Sequence, residues 1–283
     1  MSTPKAMIEE SPVRRRDIRW LVTDLDGTIV GRDLQLVQRS VQAVRAFRRS
    51  GREVFVATGR NEESALPYYT ALGLDTPAIL YNGARIVDLT TGKRLRDLTV
   101  DAQRLAGVRE IMPRLATRLG VVGFCDRHAY VLRDGPKLAS YAARDRIALL
   151  PADRLSGPPE ETGFSKIMII GAGPDDLGEP RKLLADVGVR DHLVQSESGY
   201  LEVLPDGADK GSALRWLAAY RGIDIAQIAA IGDNPNDAAM ISVAGLGVAV
   251  SGAHADARAA ADLVVGRCEN GAVAELIASL GIG

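Results

Sequence analysis

Two carboxylates lie two residues apart near the start of the chain, where residues 19–30 read RWLVTDLDGTIV. Asp24 and Asp26 follow a short apolar run and precede Gly27. Residues two apart project to the same side of an extended chain, so the two carboxylates can converge on one point. Like charges held this close raise each other's proton affinity unless a cation lies between them. The pair therefore indicates a divalent metal or divided catalytic roles, and the alternative is a polar turn that ends a strand.

A second acidic stretch lies later in the chain, where residues 228–237 read IAAIGDNPND. Its apolar start predicts a strand, and Gly232 then permits a sharp turn. Asp233, Asn236 and Asp237 follow before a predicted helix. Carboxylate oxygens on one loop suit Mg²⁺, which binds through one or two carboxylates together with water and substrate phosphate. The alternative is a polar turn that caps the helix, and the loop alone does not decide between the two.

Two further polar groups lie between these acidic stretches. In EVFVATGR, residues 53–60, an apolar run ends in Thr58, Gly59 and Arg60. A hydroxyl followed by glycine offers O–H and N–H donors to a phosphate, and the N-terminus of the next helix adds partial positive charge. The alternative is that Thr58 only caps that helix. Lys210, in GADKGSAL, starts a predicted helix against the dipole preference, which indicates a functional site unless the lysine is simply solvated.

The segment that carries Asp24 and Thr58 alternates strands with helices. Apolar spacing predicts helices over 36–50 and 61–72, between apolar runs that predict strands. This order implies parallel pairing with right-handed crossovers. Ligands bind such sheets where loops leave the carboxyl ends of the strands. Thr58 and Asp24 are therefore expected at one edge of a Rossmann-like parallel α/β sheet.

From residue 85 the pattern changes to hairpins that alternate with helices. Strands are predicted over 84–89, 94–100, 121–124, 129–133, 166–170 and 193–204, helices over 102–119, 138–146 and 177–187, and a loop over 150–163. We interpret residues 85–198 as an α+β domain inserted into a core of residues 18–84 and 199–283. Residues 1–17, with three consecutive arginines at 14–16, are expected to form a flexible leader.

The composition excludes several functional classes. The 283 residues carry a formal net charge of −1, which argues against nucleic acid as a partner but not against small phosphorylated ligands. No run of about 20 apolar residues predicts a membrane span, and the start of the chain lacks the apolar stretch of a signal peptide. Cys125 and Cys268 have no metal-site or disulfide spacing. We therefore expect a cytoplasmic protein with no membrane partner.

Four motifs occur in the order of a known set of signatures. DLDGTIV, ATGR, GADKGSAL and GDNPND resemble the signatures of the haloacid dehalogenase superfamily in its Cof-type (subfamily IIB) form, and NGA at residues 82–84 is similar to a further Cof-type motif. The resemblance spans residue 18 to the C-terminus. It implies a parallel core with an inserted α+β cap domain that contacts the substrate. One departure is Ser-Gly-Ala at residues 251–253, where Cof-type proteins often have Gly-Asn-Ala.

The resemblance also implies roles for the acidic residues. Mg²⁺ would be bound by the Asp24 carboxylate, the Asp26 backbone carbonyl and Asp233, and Asp237 would complete the site through water. Asp24 would attack phosphorus and form an aspartyl-phosphate. Asp26, with its carboxyl directed away from the metal, would protonate the leaving group and then activate water.

Phosphate and substrate contacts are implied at other positions. Thr58 and Lys210 would bind the non-bridging phosphate oxygens. Asn82 would lie near the substrate entrance, although Asn-Gly is also the strongest hairpin signal. Glu202 resembles a residue in the segment that leads back from the cap and would help to position the substrate. Gly59, Arg60 and Asn236 belong to the same motifs and complete the predicted contacts.

Within the inserted domain the sequence favours no residue strongly. His128 and His192 are candidate ligands, but lone loop histidines are usually solvated. Four basic residues would either line a pocket for a phosphorylated substrate or lie on the surface: Arg127, Arg133, Lys137 and Arg144.

The leading hypothesis is a Mg²⁺-dependent phosphatase of small phosphorylated metabolites, with sugar phosphates the expected substrates. Two alternatives stay open: a phosphomutase of the phosphomannomutase kind, and a non-catalytic metabolite-binding protein that kept the fold. Neither the metabolite nor the oligomeric state follows from the sequence.

Overall fold

A computed structural model describes residues 17–158 and 161–281. The predicted leader, apart from Asp17, therefore lies outside the described residues. The strands are β1 Trp20–Thr23, β2 Glu53–Val56, β3 Ala78–Leu80, β4 Arg85–Val87, β5 Arg94–Asp97, β6 Gly120–Cys125, β7 His128–Arg133, β8 Leu149–Pro151, β9 Lys166–Ile170, β10 Leu193–Glu197, β11 Tyr200–Val203, β12 Ile228–Gly232, β13 Leu246–Val250 and β14 Leu263–Val265. The helices are α1 Gln38–Arg49, α2 Glu62–Ala71, α3 Ala102–Ile111, α4 Leu138–Asp145, α5 Gly178–Asp186, α6 Lys210–Arg221, α7 Ala238–Val243, α8 Ala255–Ala259 and α9 Ala272–Ser279.

The core is a five-stranded parallel sheet in the order β14-β13-β12-β1-β2. Its central strands are apolar on both faces because helices cover both faces. Leu21 of β1 packs with Phe47 of α1 and Leu276 of α9 on one face. Val22 packs with Leu214 of α6 on the other. The predicted α/β fold with a parallel core sheet is confirmed.

The inserted domain is built on a second sheet, in the order β10-β11-β9-β6-β7-β8. Its strand pairs are antiparallel except β7 with β8, which is parallel. One face packs with helices α3 and α5 around an apolar cluster that includes Val108, Ile167, Leu184 and Leu201. Strand β8 overlaps the start of the loop predicted over 150–163, because a three-residue strand is too short to give an alternating pattern. The helix predicted over 102–119 ends at Ile111, shortly before Pro113.

The strand pairings indicate borders for the inserted domain that differ from the predicted residues 85 and 198. Strands β4 and β5 extend the core, since β4 pairs with β3 and Ile86 packs in the core cluster with Phe55. The β5 segment ends with a bond from Leu98 N to Ala84 O, and the first bond into the cap joins Val100 N to Phe164 O. Strand β11 pairs with β9 and β10. Core and cap hairpins have the same local pattern in the sequence, and on these pairings we propose a cap of residues 99–204 in place of residues 85–198.

A buried arginine lies where the core meets the cap. Arg85 is 1% exposed, and its guanidinium bonds Glu62 (2.7 Å), Asp97 (2.8 Å) and Ser165 (2.7 Å), as well as the Asp126 carbonyl. Glu62 belongs to core helix α2, whereas Ser165 directly precedes cap strand β9. We call Arg85, Glu62, Asp97 and Ser165 the junction cluster. Within the described ranges, no helix has the length and apolar character needed to cross a membrane.

Candidate active site

The loop after β1 is held against the loop after β12. Asp24 N donates to the Ile231 carbonyl (3.0 Å), which continues the strand pairing into the loop. Gly27 has a φ of +79°, and a Cβ there would lie 2.3 Å from Asp233 Oδ2. Only glycine accepts both the left-handed conformation and this close approach. Thr28 Oγ1 donates to Asp233 Oδ1 at 3.2 Å, so the two acidic loops form one site.

Lys210 is buried between two carboxylates at the start of α6. Its Nζ lies 2.7 Å from Asp24 Oδ1 and 2.6 Å from Asp237 Oδ1. The reading of Lys210 as a solvated lysine is therefore wrong, because its side chain is 0% exposed. Burial alone would lower the pKa of Lys210, but Asp237 and Asp24 raise it above its ordinary value. The lysine is a fixed cation beside Asp24.

Asp237 also shapes the second acidic loop. Its Oδ2 accepts the backbone N–H groups of Asp233 and Asn234, each at 3.0 Å. The turn alternative is thus partly correct for Asp237, whose two oxygens hold the loop and the lysine. A metal contact of Asp237 through water, as predicted, suits these occupied oxygens.

Asp24, Asp233 and Asp237, which we call the acidic cluster, each place one carboxylate oxygen within 4.8 Å of the others. Burial raises the pKa of Asp24 well above its ordinary value; Lys210 opposes this rise, and Asp237 adds to it. Burial followed by the charge of Asp237 raises the pKa of Asp233 to about 7. Three carboxylates with one lysine leave negative charge uncompensated, which a divalent cation would neutralise. The donor set consists of hard oxygen ligands and fits Mg²⁺.

Asp26 lies beside the acidic cluster, but its carboxylate is bound elsewhere. Arg60 Nε donates to Asp26 Oδ2 (2.8 Å) and Arg60 Nη2 to Asp26 Oδ1 (2.7 Å). The guanidinium also lies 5.0 Å from the centre of the Tyr68 ring. Both oxygens of Asp26 thus bond Arg60, and each oxygen keeps one further lone pair. The metal contact through the Asp26 backbone carbonyl stays a prediction.

Thr58 does not cap the following helix. Asn61 is the N-cap of α2, and its Oδ1 accepts Ser64 N at 3.0 Å. The Thr58 hydroxyl accepts Arg60 N instead, at 3.2 Å. Asn61 was missed by the sequence reasoning although Asn before Glu-Glu is itself an N-cap signal. Its Nδ2 is buried without a partner among the described residues.

A chain of hydrogen bonds links the predicted residues Asn236, Asn82 and Glu202. Asn236 Nδ2 donates to Asn82 Oδ1 (2.8 Å), and Asn82 Nδ2 donates to Glu202 Oε2 (2.7 Å). Lys166 Nζ donates to Glu202 Oε1 (2.9 Å) and completes what we call the polar bridge. Lys166 was missed, and its signal was a charge at the start of the apolar strand KIMII.

A cleft with a cavity volume of about 60 Å³ lies between core and cap. Asp24, Asp26, Thr58 and Lys166 are among the residues at its polar side. The cap contributes aromatic and apolar walls, formed by Phe124, Tyr141, Met168 and Tyr200. It also contributes charged side chains: Arg144, Asp145, Lys166, Glu197 and Glu202. The cleft therefore combines a polar end at the acidic cluster with a ring-lined end in the cap.

Most of the charged cap candidates lie elsewhere. Of the four basic residues considered, Arg144 lines the cleft and bonds Glu197 at 2.5 Å. Arg133 binds backbone carbonyls, including that of Leu115 at 2.9 Å. His192 pairs with Asp206 at 2.8 Å. Arg127, Lys137 and His128 are exposed and are not among the residues that line the cleft.

The chain is similar to known phosphatases over most of its length. The chain is 30% identical over 272 residues to an HMP-PP phosphatase of Cronobacter sakazakii, covering 90% of this chain and 92% of the relative. It is 25% identical over 273 residues to the pyridoxal phosphate phosphatase YbhA of Escherichia coli, covering 92% and 98% of the two chains.

Solved structures show the same fold. A Thermotoga maritima protein aligns with a TM-score of 0.78 and 26% identity over 92% of this chain and 97% of that protein. A haloacid dehalogenase-like hydrolase of Bacteroides thetaiotaomicron aligns with a TM-score of 0.80 at 22% identity, over 92% and 98% of the chains. The family model of the haloacid dehalogenase-like hydrolases matches residues 21–277. The chain therefore belongs to the haloacid dehalogenase-like hydrolases, as the order of its four motifs predicted.

Proposed function

We propose that this protein is a Mg²⁺-dependent phosphatase that hydrolyses small phosphorylated metabolites through an aspartyl-phosphate on Asp24. The observation that carries the proposal is the geometry around Asp24. Its Oδ1 lies 2.7 Å from buried Lys210 Nζ, and Asp233 and Asp237 lie beside it. A buried carboxylate with a fixed cation and excess negative charge suits phosphoryl transfer, which depends mainly on positioning and charge neutralisation.

The reaction divides between Asp24 and Asp26. In the first step an Asp24 oxygen bonds to phosphorus while the bond from phosphorus to the leaving oxygen breaks, and Asp26 gives that oxygen a proton. In the second step Asp26 takes a proton from water, whose oxygen attacks phosphorus and releases Asp24 and inorganic phosphate. Arg60 bonds both oxygens of the carboxylate and would hold Asp26 in position during this cycle.

The acidic loops, together with Lys210 and Thr58, would bind the phosphate and neutralise its charge. Asp24, Asp233, the Asp26 carbonyl and, through water, Asp237 would hold Mg²⁺, which when bound neutralises charge on the phosphate oxygens. Lys210 Nζ and the Thr58 hydroxyl supply further donors, each worth about 3 kcal/mol in the transition state.

The substrate class rests on the cap. Sugar phosphates remain the proposed substrates, since the ring-lined walls formed by Phe124, Tyr141 and Tyr200 can pack on the apolar face of a sugar ring. The same walls also suit a heteroaromatic ring, and the relatives named above act on pyridoxal phosphate and HMP-PP by name. We place the activity in the cytoplasm, where Cys125 and Cys268, both free, would stay reduced.

A phosphate-release screen tests the proposal. Purified protein is incubated with hexose phosphates, pentose phosphates and pyridoxal phosphate, with added Mg²⁺ and after chelation. We expect Mg²⁺-dependent release of inorganic phosphate from at least one compound. If no phosphomonoester in a broad panel is turned over, the phosphatase assignment has to be abandoned in favour of a binding protein. Formation of a hexose 6-phosphate from a hexose 1-phosphate, without free phosphate, would favour the mutase instead.

A further inference from the structure

Lys166 reaches from the cap into the phosphate end of the cleft. It opens cap strand β9 and is 4% exposed. Its Nζ donates to Glu202 Oε1 within the cap and to the Gly59 carbonyl in the core, each at 2.9 Å. A buried lysine is costly unless it is paired and hydrogen-bonded, and Glu202 supplies the charge partner. The second bond therefore ties a fixed cap cation to the loop that follows β2.

The bond to Gly59 acts on a single peptide plane. The Gly59 carbonyl and the Arg60 N–H belong to the same planar unit, so fixing one fixes the direction of the other. Arg60 N donates to Thr58 Oγ1 at 3.2 Å. A hydroxyl has one proton and two acceptor lone pairs. Because the amide occupies a lone pair, the Thr58 proton is left to point toward a phosphoryl oxygen in the cleft.

The carboxylate partner of Lys166 holds Thr58 from the other side. Glu202 Oε2 accepts Asn82 Nδ2 at 2.7 Å, and Asn82 N donates to the Thr58 carbonyl at 3.0 Å. Asn82 has a φ of +55°, a left-handed conformation that non-glycine residues adopt where surrounding contacts impose it. Both partners of the Lys166–Glu202 ion pair are thus linked to Thr58. Lys166 is linked to its hydroxyl through the Gly59–Arg60 peptide, and Glu202 to its backbone carbonyl through Asn82.

We propose that Lys166, paired with Glu202, is a positioning residue that orients the Thr58 hydroxyl toward the substrate phosphate when the cap is docked on the core. The inference rests on the proposed phosphatase function for its kinetic test. Contact with the phosphate is made by Thr58, and Lys166 acts through the Gly59–Arg60 peptide. Docking of the cap would then complete the phosphate site as well as cover it.

A double-mutant cycle between Lys166→Met and Thr58→Val tests this coupling. Thr58→Val removes the hydroxyl at nearly constant volume and is expected to lower kcat by about 10². Lys166→Met keeps the apolar stem and is expected to lower kcat by about tenfold through misplacement of the hydroxyl. In the Thr58→Val background the Lys166 change should cost less than about twofold, because the group it positions is already gone. Fully additive losses, or an unchanged kcat for Lys166→Met alone, would overturn the proposal.

Matched controls separate positioning from folding. Lys182→Met changes an exposed cap lysine on α5 and should leave kcat and the melting temperature unchanged. If Lys166→Met does not fold, Lys166→Gln replaces it in the cycle, because its amide can still donate to Glu202 but is too short to reach Gly59. The same cycle is measured by calorimetry as the affinity of the Mg²⁺-loaded protein for inorganic phosphate. That readout needs no turnover, so additive affinity losses would sink the coupling even if no substrate were found.

Discussion

The acidic cluster and the junction cluster each surround one buried cation. They differ in how much negative charge the cation leaves unpaired. The Arg85 guanidinium donates hydrogen bonds to four partners: Glu62, Asp97, Ser165 and a backbone carbonyl. Lys210 bonds two carboxylates, while a third, Asp233, has its pKa raised to about 7 by burial and the charge of Asp237. Removing one partner of a buried ion pair is strongly destabilising, and a buried excess of charge likewise costs stability. From this difference we propose that the junction cluster serves folding and the acidic cluster serves chemistry.

The largest expected effect is on turnover, from Asp24→Asn. The variant keeps the shape of the side chain but removes the nucleophile and one negative charge, so kcat should fall by about 10⁴-fold or more. The metal-free variant should melt no lower than the wild type, since it relieves part of the uncompensated charge. Steady-state kinetics and thermal melts measure the two effects. Ordinary turnover in this variant would remove Asp24 from the role of nucleophile.

Arg85→Met should show the opposite pattern. It leaves Glu62 buried without its charge partner, and we expect a loss of about 3–5 kcal/mol in the free energy of unfolding. The kcat of the folded fraction should stay within severalfold of the wild type, because Arg85 is not among the residues that line the cleft. Urea titration measures the loss, with Arg215→Met at an exposed position of α6 as the control. An unchanged unfolding midpoint would mean that the junction cluster does not stabilise the fold.

The acidic cluster should make stability depend on pH in an unusual direction. The pKa of Asp233 rises from 3.8 to about 7 on folding, so between these values the folded chain binds more protons than the unfolded one. Stability of the metal-free protein should therefore fall as pH rises from about 4 to 7. Mg²⁺ competes with those protons, so its addition should raise the melting temperature more at pH 8 than at pH 5. Melting curves with and without Mg²⁺ at both pH values test this, and equal shifts would contradict a metal site at Asp233.

A smaller effect is expected at the edge of the site, from Arg60→Lys. The substitution keeps the charge but loses the paired geometry with Asp26. Because the Asp26 side chain is 26% exposed, the change in unfolding free energy should stay below about 1 kcal/mol. We expect kcat to fall by about tenfold, since both Asp26 and the phosphate loop lose a fixed partner. A change in stability larger than the change in kcat would place Arg60 with the junction cluster instead.

The sequence could predict where the acidic residues lie in the fold, because local geometry determines their positions. Asp24, Thr58 and Asp233 follow apolar runs, and parallel pairing brings those strand ends to one edge of the sheet. The sequence also predicted that a domain is inserted between the second and third motifs. The borders that we propose from the structure differ from residues 85 and 198, since strands β4 and β5 pair with β3 and with each other, and the local pattern does not identify the partner of a strand.

The polar bridge could not be predicted from the sequence either, because it depends on contacts between distant parts of the chain. Lys166 lies more than a hundred residues from Gly59 along the chain, and their contact depends on how the cap docks on the core. The Arg60–Asp26 pair was likewise missed, although both residues were selected for other roles. Short-range spacing predicts which residues end strands, whereas contacts between domains follow from tertiary packing alone.

The most direct test of the account is the detection of a covalent phosphoenzyme. Asp26→Asn removes the base that activates water. The phosphorylated form should therefore accumulate when the Mg²⁺-loaded variant is mixed with an aryl phosphate, whose leaving group departs without the proton that Asp26 gives other substrates, and quenched within milliseconds. Peptide mass spectrometry should then find one phosphoryl group on Asp24 and none in the matched Asp24→Asn protein. Release of phosphate without a covalent species, or a phosphoryl group on any other residue, would contradict the division of roles between Asp24 and Asp26.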